Sequence, residues 1–351
     1  MNGGDGASSY ARNSSYQRGA IEAAEALLRK EINTRLNITD HSFSSFTIAD
    51  FGCSSGPNTI LAVDIIIQAL YHKFSSSLPK TTTPQFQVFF NDVSHTDFNA
   101  LFALLPPQRP YFVAGVPGSF YGSLFPKAHL NLAYSSCALC WLSDLPPELT
   151  DTNSPAYNSG KIHYTGASAE VVQAYSCQYK KDIKLFLHAR SQELAENGLM
   201  ALIVPGVPDG FLDCQEASTG SEFDLLGSCL MDMAREGKIK EEEVDSFNLP
   251  IYYPTPKELE DIIRSNGELK IDKIETLGSM GAQDTMPDLE SRVLYLRAVL
   301  EGLVRTHFGP QILDDLFDRY TIKLAHSSFI LQPQTHRSIM IFALLSRCYD
   351  I

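Results

Sequence analysis

Apolar and polar positions follow two rhythms along the chain, and the order in which these change predicts the fold. Residues 17–36 carry Ala, Ile and Leu at helical spacing and predict an amphipathic helix ending near Asn37. The apolar run 46–51 predicts a short buried strand, 52–58 a glycine-containing turn, and 59–74 a second helix. The same grammar returns in strand 86–90 followed by helix 97–105, in strand 111–116 running into Pro117, and in strand 130–133. A long helix over 167–197, closed by Gly198, leads into strand 199–204. Strands that are apolar throughout and alternate with helices predict an α/β fold with a mostly parallel sheet covered on both faces. Ligands of such sheets sit beyond the carboxyl ends of the strands, where the glycine and acidic motifs of this chain fall.

From 206 to 310 the pattern becomes mainly helical, with helices at 223–236, 255–265 and 291–308 and a strand at 270–277. This stretch reads as a cap over the ligand crevice, so 1–205 and 311–351 form the α/β core and 206–310 the cap. Helix 311–325 and an antiparallel return strand at the sheet edge, 336–346, complete the core. Lys and Arg number 28 against 41 Asp and Glu, a formal charge of −13, which argues against a general nucleic-acid surface. No stretch reaches the roughly 18 apolar residues of a membrane span, and the first residues lack the basic and apolar regions of a secretory signal. A cytoplasmic protein without a membrane partner is the expectation. Of the seven cysteines (53, 137, 140, 177, 214, 229, 348), Cys137 and Cys140 have C-x-x-C spacing, but no second pair follows. They read as reduced packing thiols.

Asp50, Gly52 and Gly56 stand directly after the first strand, where the chain turns tightly and lets a ligand approach its backbone. The glycine spacing is not the dinucleotide fingerprint, which sets aside a nicotinamide-dependent oxidoreductase. An acidic residue at this strand end suits a cofactor with an ammonium group and no phosphate, such as the methionine part of S-adenosylmethionine. Asp92, at the end of the next strand, suits a ribose diol. Alone, either residue could equally be a cap or turn residue; together and in this order they favour a nucleoside cofactor.

Longer motifs carry a resemblance. They include 9–17 (Ser-Tyr-Ala-Arg-Asn-Ser-Ser-Tyr-Gln), 48–59 (Ile-Ala-Asp-Phe-Gly-Cys-Ser-Ser-Gly-Pro-Asn-Thr), Asn91-Asp92 and 116–122 (Val-Pro-Gly-Ser-Phe-Tyr-Gly). Further on come Ser135-Ser136 with 141–143 (Trp-Leu-Ser), and 244–250 (Val-Asp-Ser-Phe-Asn-Leu-Pro). In this order, along nearly the whole chain, the sequence resembles the plant SABATH methyltransferases, which methylate small carboxylic acids and xanthine nitrogens. The resemblance implies a class I methyltransferase, Rossmann-like core with a helical cap, a homodimer, and S-adenosylmethionine as cofactor. It gives cofactor roles to Tyr10, Asp50, Cys53, Asn58, Asp92, Val93, Ser119 and Phe120. Gln17 and Trp141 are implied to hold the acceptor's carboxylate, with Cys137, Cys140, Phe223, Tyr252, Leu296 and Val299 lining the pocket. A Mg²⁺ position is implied at Asn158, Asp245, Phe247 and Asn248, the last two through backbone carbonyls.

The implied reaction is an O-methylation that forms methyl esters by in-line displacement. An acid of pKa about 4 is already ionised at pH 7, so no catalytic base is required, and His129 and His163 read as structural. Amide and indole N–H groups are neutral donors that orient an anion without the desolvation cost of an ion pair. The pocket departs from the family at Cys137 and Cys140, where larger polar or aromatic side chains are common. The smaller residues imply a roomier pocket and argue against xanthine recognition. Glu222, where an apolar residue is frequent, is expected to face solvent. Two alternatives stand beside this reading: an N-methyltransferase of a neutral heterocycle, and a catalytically inactive cofactor-binding member.

Overall fold

Ala20, Ile21, Ala24, Leu28 and Ile32 fall on one face of the first helical stretch, and all are buried in α1, Ser15–Arg35, of the computed structural model. The structure describes residues 1–4, 6–37, 44–77, 84–210, 218–277, 288–331 and 338–347. Cys214 and Cys348 lie outside the described residues. The alternation continues as β1 (Ser45–Phe51), α2 (Pro57–Ser77), β2 (Gln85–Asp92), α3 (Phe98–Leu104), β3 (Tyr111–Pro117) and β4 (Leu130–Ser136). Then follow α4 (Ala169–Glu193) and β5 (Leu194–Gly206). The described strands form one sheet in the order β3-β2-β1-β4-β5, with β7 (Ile339–Arg347) and β6 (Leu269–Leu277) added beyond β5. The first five strands run parallel, and β7 is antiparallel to both neighbours. This is the α/β architecture with a mostly parallel sheet that the alternation of strands and helices predicts. Register places Asp50 beside Phe90 and Tyr134, and Asp92 beside Pro117, so the four strand ends that carry candidate residues open on one side.

Two local expectations change. The return strand does not form the sheet edge: β7 lies between β5 and β6, because its run from Ile339 to Leu345 is buried and needs a neighbour on each side. The edge is β6, whose burial is only partial. Gly198 does not close α4. The helix ends at Glu193, and Leu194 already pairs with Leu130 before the register shifts. Asn197 at φ 62° and Gly198 sit in that irregularity, where a Cβ on Gly198 would lie 2.9 Å from the Ala195 carbonyl and 3.0 Å from that of Leu130.

Side chains pack in three groups. One face of the sheet is covered by α1 and α2, the other by α4 and α7 (Pro256–Arg264). The third group joins α5 (Ser218–Arg235), α8 (Leu289–Phe308) and α9 (Leu313–Ala325). Residues 256–277, inside the stretch the sequence reading gives to the cap, thus pack with the sheet, and α9, given to the core, packs with the cap helices. Apolar stripes on α7 and α9 show that each must be covered but not by what. Among the described residues no helix is long and apolar enough to cross a membrane.

Candidate active site at the carboxyl ends of the strands

The end of β1 is built for close approach. Gly52 has φ +81°, and a Cβ there would meet the Ala138 Cβ at 2.1 Å, so the turn after β1 presses directly on the loop after β4. Gly52 and Cys53 donate their N–H groups to the Asn91 carbonyl at 2.9 and 3.0 Å. The Asn91 amide donates to the carbonyls of Val116 and Gly118, locking the ends of β2 and β3 together. Asp92 Oδ2 accepts the Ser54 N–H at 2.7 Å, while Oδ1 accepts Val93 N–H and the Thr96 hydroxyl.

Asp50 is buried and accepts the Thr59 hydroxyl. Burial raises its carboxyl to about 7, the Thr59 bond opposes that rise, and the charge of Asp92 adds to it. With no cation paired to it among the described residues, this carboxylate suits an incoming ammonium group. A small cavity opens beside it, touched by Tyr10, Gln17, Cys53, Asn58 and Tyr134. Asn58 donates to the Ser14 carbonyl and hydroxyl, fixing the amino-terminal segment against α2. Asp92, Val93, Ser119 and Phe120 stand outside that cavity on the neighbouring strand ends. Val93 is 38% exposed, Ser119 is exposed at the rim, and the Phe120 ring lies 3.5 Å from the Cβ position of Gly52. Met1 and Asn2 cross this cleft: the Met1 sulfur lies 3.8 Å from the Ser54 hydroxyl, and Asn2 N–H donates to the Ala298 carbonyl of α8.

A second small cavity lies between the loop after β4 and the cap helices. It brings together Gln17, Cys137, Cys140, Trp141, Phe223, Leu296 and Val299. Gln17 lines both cavities. Its amide nitrogen stands 3.5 Å from the Tyr295 hydroxyl, and its amide oxygen is buried without a protein partner. Burial holds the Cys137 thiol up at about 12, against the Ser136 hydroxyl, and pushes the Cys140 thiol up further, aided by Cys137. Both thiols are therefore protonated, small and weakly polar. No Lys, Arg or His lines this cavity.

Tyr252 is not brought to the cavity. Trp141 pairs with Ile251 in an isolated bridge, and Tyr252 N–H donates to the Cys140 carbonyl, so 251–253 is extended and its side chains alternate. Ile251 and Tyr253 face the cavity, whereas Tyr252 is fully buried with its hydroxyl on Glu258 at 3.0 and 3.1 Å. Tyr16, Pro205 and Tyr295 also line the cavity and escaped the sequence reading. The adjacency of Tyr16 to Gln17 was a signal; nothing local marked Pro205 or Tyr295.

Glu222 does not face solvent. It accepts a 2.8 Å hydrogen bond from Arg292, with the two side chains 12% and 4% exposed. Burial raises its carboxyl and Arg292 opposes the rise. A buried acid needs such a partner, and here it comes from α8, seventy residues away in the chain. His163 is fully buried between the Thr165 hydroxyl (2.6 Å) and the Ile251 carbonyl (3.0 Å), and burial depresses it to about 3. It is a neutral brace behind Ile251.

Asn158, Asp245 and Asn248 do gather. The Asn158 amide nitrogen donates to Asn248 Oδ1 at 2.7 Å and to the His163 carbonyl. The Asp245 carboxylate accepts from the Tyr157 hydroxyl, the Gly160 N–H and the Ser159 hydroxyl. The Phe247 ring packs against His307 and Phe308, which leaves the role implied for its backbone carbonyl untouched. The side-chain oxygens of Asp245 and Asn248 are turned to protein donors and not to a shared centre. In this arrangement the set does not fit a resident Mg²⁺ ion.

A family model described as SAM-dependent carboxyl methyltransferase matches residues 1–348. A loganic acid O-methyltransferase of Catharanthus roseus is 42% identical over 99% of this chain and 94% of its own. A farnesoic acid carboxyl-O-methyltransferase of Arabidopsis thaliana is 39% identical over 91% of this chain and 90% of its own. A 3,7-dimethylxanthine N-methyltransferase of Camellia sinensis is 33% identical over 98% and 95%. A solved loganic acid methyltransferase holding SAH superposes with a TM-score of 0.94 at 41% identity, over 100% of this chain and 99% of that one.

Proposed function

The chain belongs to the SAM-dependent carboxyl methyltransferase family, and from that premise we propose that Gln17 and Trp141 hold the acid between the two cavities. The activity is methyl transfer from S-adenosylmethionine to a carboxyl oxygen, forming a methyl ester. The observation that carries the residue assignment is Gln17, which lines the donor cavity and the acceptor cavity at once. S-adenosylmethionine, when bound, supplies a methyl group activated by the adjacent sulfonium. Asp50 receives its ammonium group, and Asp92, whose Oδ2 holds only the Ser54 N–H, receives the ribose hydroxyls. Tyr10, Cys53 and Asn58 wall the donor cavity, and Val93, Ser119 and Phe120 flank the base at its rim.

On the acceptor side the Gln17 amide and the Trp141 indole donate to the carboxylate. Neutral donors orient the anion yet leave it nucleophilic, and it needs no base to ionise it. Cys137, Cys140, Phe223, Leu296 and Val299 exclude water around the attacking oxygen, which strengthens its reaction with a cationic centre. The test is transfer of labelled methyl from S-adenosylmethionine to loganic, farnesoic, aromatic and other terpenoid acids and to xanthines, with Gln17→Ala and Trp141→Ala as controls. The expected product is a base-labile ester that both controls lose. Label stable to base, on a xanthine, would establish the N-methyltransferase instead; SAH binding without any labelled product would establish the inactive reading.

Finer assignments belong to the same proposal. A homodimer is supported by the open edge at β3, where Phe112 is 58% exposed. A cytosolic site of action is supported by Cys53, Cys137, Cys140, Cys177 and Cys229, all free thiols. The reaction requires no Mg²⁺ in this reading.

A further inference from the structure

Helix α4 carries three ionisable side chains that are almost wholly buried: Asp182 at 0%, Arg190 at 0% and Glu193 at 1% exposure. Buried charges are retained where they serve geometry, since an apolar replacement is often as stable. Arg190 and Glu193 pair with each other and Gln178 donates to Asp182 within the helix, but the remaining partners lie outside it, in two loops at the site. Arg190 donates to the carbonyls of Phe120 and Gly122, each at 2.8 Å. Glu193 Oε1 accepts from Leu124 N–H at 2.6 Å, Phe125 N–H at 3.0 Å and Arg190 Nη2 at 3.0 Å. Arg190 Nε and Glu193 Oε2 stand 2.8 Å apart, an ion pair too bent to be a hydrogen bond. The guanidinium also lies over the Phe51 ring, 4.3 Å from its centroid, at the end of β1. The bonds to the Phe120 and Gly122 carbonyls and to the Leu124 and Phe125 N–H groups stiffen the loop that carries Ser119 and Phe120.

Two turns earlier on the helix, Asp182 holds the other loop. Its Oδ2 accepts the Ser143 N–H at 2.8 Å, and its Oδ1 the Ser143 hydroxyl at 2.6 Å, two residues after Trp141. The Tyr121 hydroxyl donates to the Trp141 carbonyl, so the loops are also tied to each other. The geometry points to α4 as the common mount of methyl donor and acceptor. Arg190 and Glu193 are positioning residues for the donor loop, and Asp182 is the positioning residue for the Trp141 loop. Methyl transfer demands that both reactants be held in line, and one rigid helix sets both from behind. This inference rests on Phe120 flanking the donor and Trp141 holding the acid.

The test separates the two halves on the full-length protein. Arg190→Lys keeps the charge but loses the fork, so Kd for SAH and KM for S-adenosylmethionine should rise about tenfold while KM for the acid stays within about twofold. Asp182→Asn turns an N–H₂ group on Ser143, so KM for the acid should rise about tenfold while Kd for SAH stays within about twofold. Where Arg190→Lys does not fold, Glu193→Gln, which keeps an acceptor for Leu124 and Phe125, takes its place. Equal movement of both constants in each variant, or a lowered melting temperature with both constants unchanged, overturns the proposal. If wild-type protein binds SAH but esterifies no acid, the carboxylate reading falls, and Kd for SAH still judges the donor half.

Discussion

Asp50 shows how one buried side chain couples site and stability. Its folded carboxyl titrates at about 7, whereas an unfolded Asp titrates near about 3.9. Between those values the folded, donor-free protein binds the extra proton, so its stability falls as pH rises through that window. Asp50→Asn should flatten this slope, giving a higher melting temperature than wild type at pH 8 without ligand. Only the carboxylate pairs with an ammonium group, so SAH affinity should weaken as pH drops below about 7, read by calorimetric titration at pH 6 and 8. Trp141→Phe removes a hydrogen bond to a charged group and should cost about 10- to 100-fold in kcat/KM, with KM raised and kcat lowered. The paired tyrosines give a sharper contrast. Tyr252→Phe should lower stability by about 1 kcal/mol through the lost Glu258 bond and leave KM for the acid unchanged. Tyr253→Phe, whose ring faces the cavity, should change acid selectivity with little effect on melting. The motif reading identified Trp141 but picked Tyr252 over its neighbour. Which of two adjacent tyrosines faces a cavity depends on the Trp141–Ile251 bridge, a contact across 110 residues of chain.

Among the elements, those with a strong internal period were legible, and those defined by a partner were not. Apolar runs marked β1 to β5 in order, and the helices between them, because strand and helix periods are local properties. The end of α4 was misread, since Gly198 has the look of a helix stop but serves a strand irregularity against Leu130. Glu222 likewise read as solvent-facing, because its charge gives no hint of Arg292 on α8. That pair makes a prediction about the cap. Arg292→Leu removes the cation paired with buried Glu222 and should destabilise by about 3–5 kcal/mol, while adding Glu222→Leu should recover most of the loss in urea unfolding.

For the molecule as a whole, the family, the reaction class and the side of the sheet that binds the ligands were all legible. They rest on motifs contiguous in sequence, whose chemistry is carried by a strand end and the turn that follows it. The metal expectation belongs to this scale as well. Since the Asp245 carboxylate and Asn248 Oδ1 accept from Tyr157, Gly160 and Asn158, dialysis against EDTA should leave kcat and the melting temperature unchanged, and a loss restored by Mg²⁺ would contradict that. The split between core and cap was legible in outline only. An amphipathic helix announces that it has an apolar face, so α7 and α9 were foreseen as helices, but their packing partners, the sheet and the cap, were settled by assembly. Local periodicity and contiguous motifs travel with the chain, and they specified the elements, the family and its cofactor. The shape of the acceptor cavity, the Glu222–Arg292 pair and the mounting of both loops on α4 arose from residues distant in sequence that burial forced together, because a buried charge or open apolar face is stable only once a partner from elsewhere covers it.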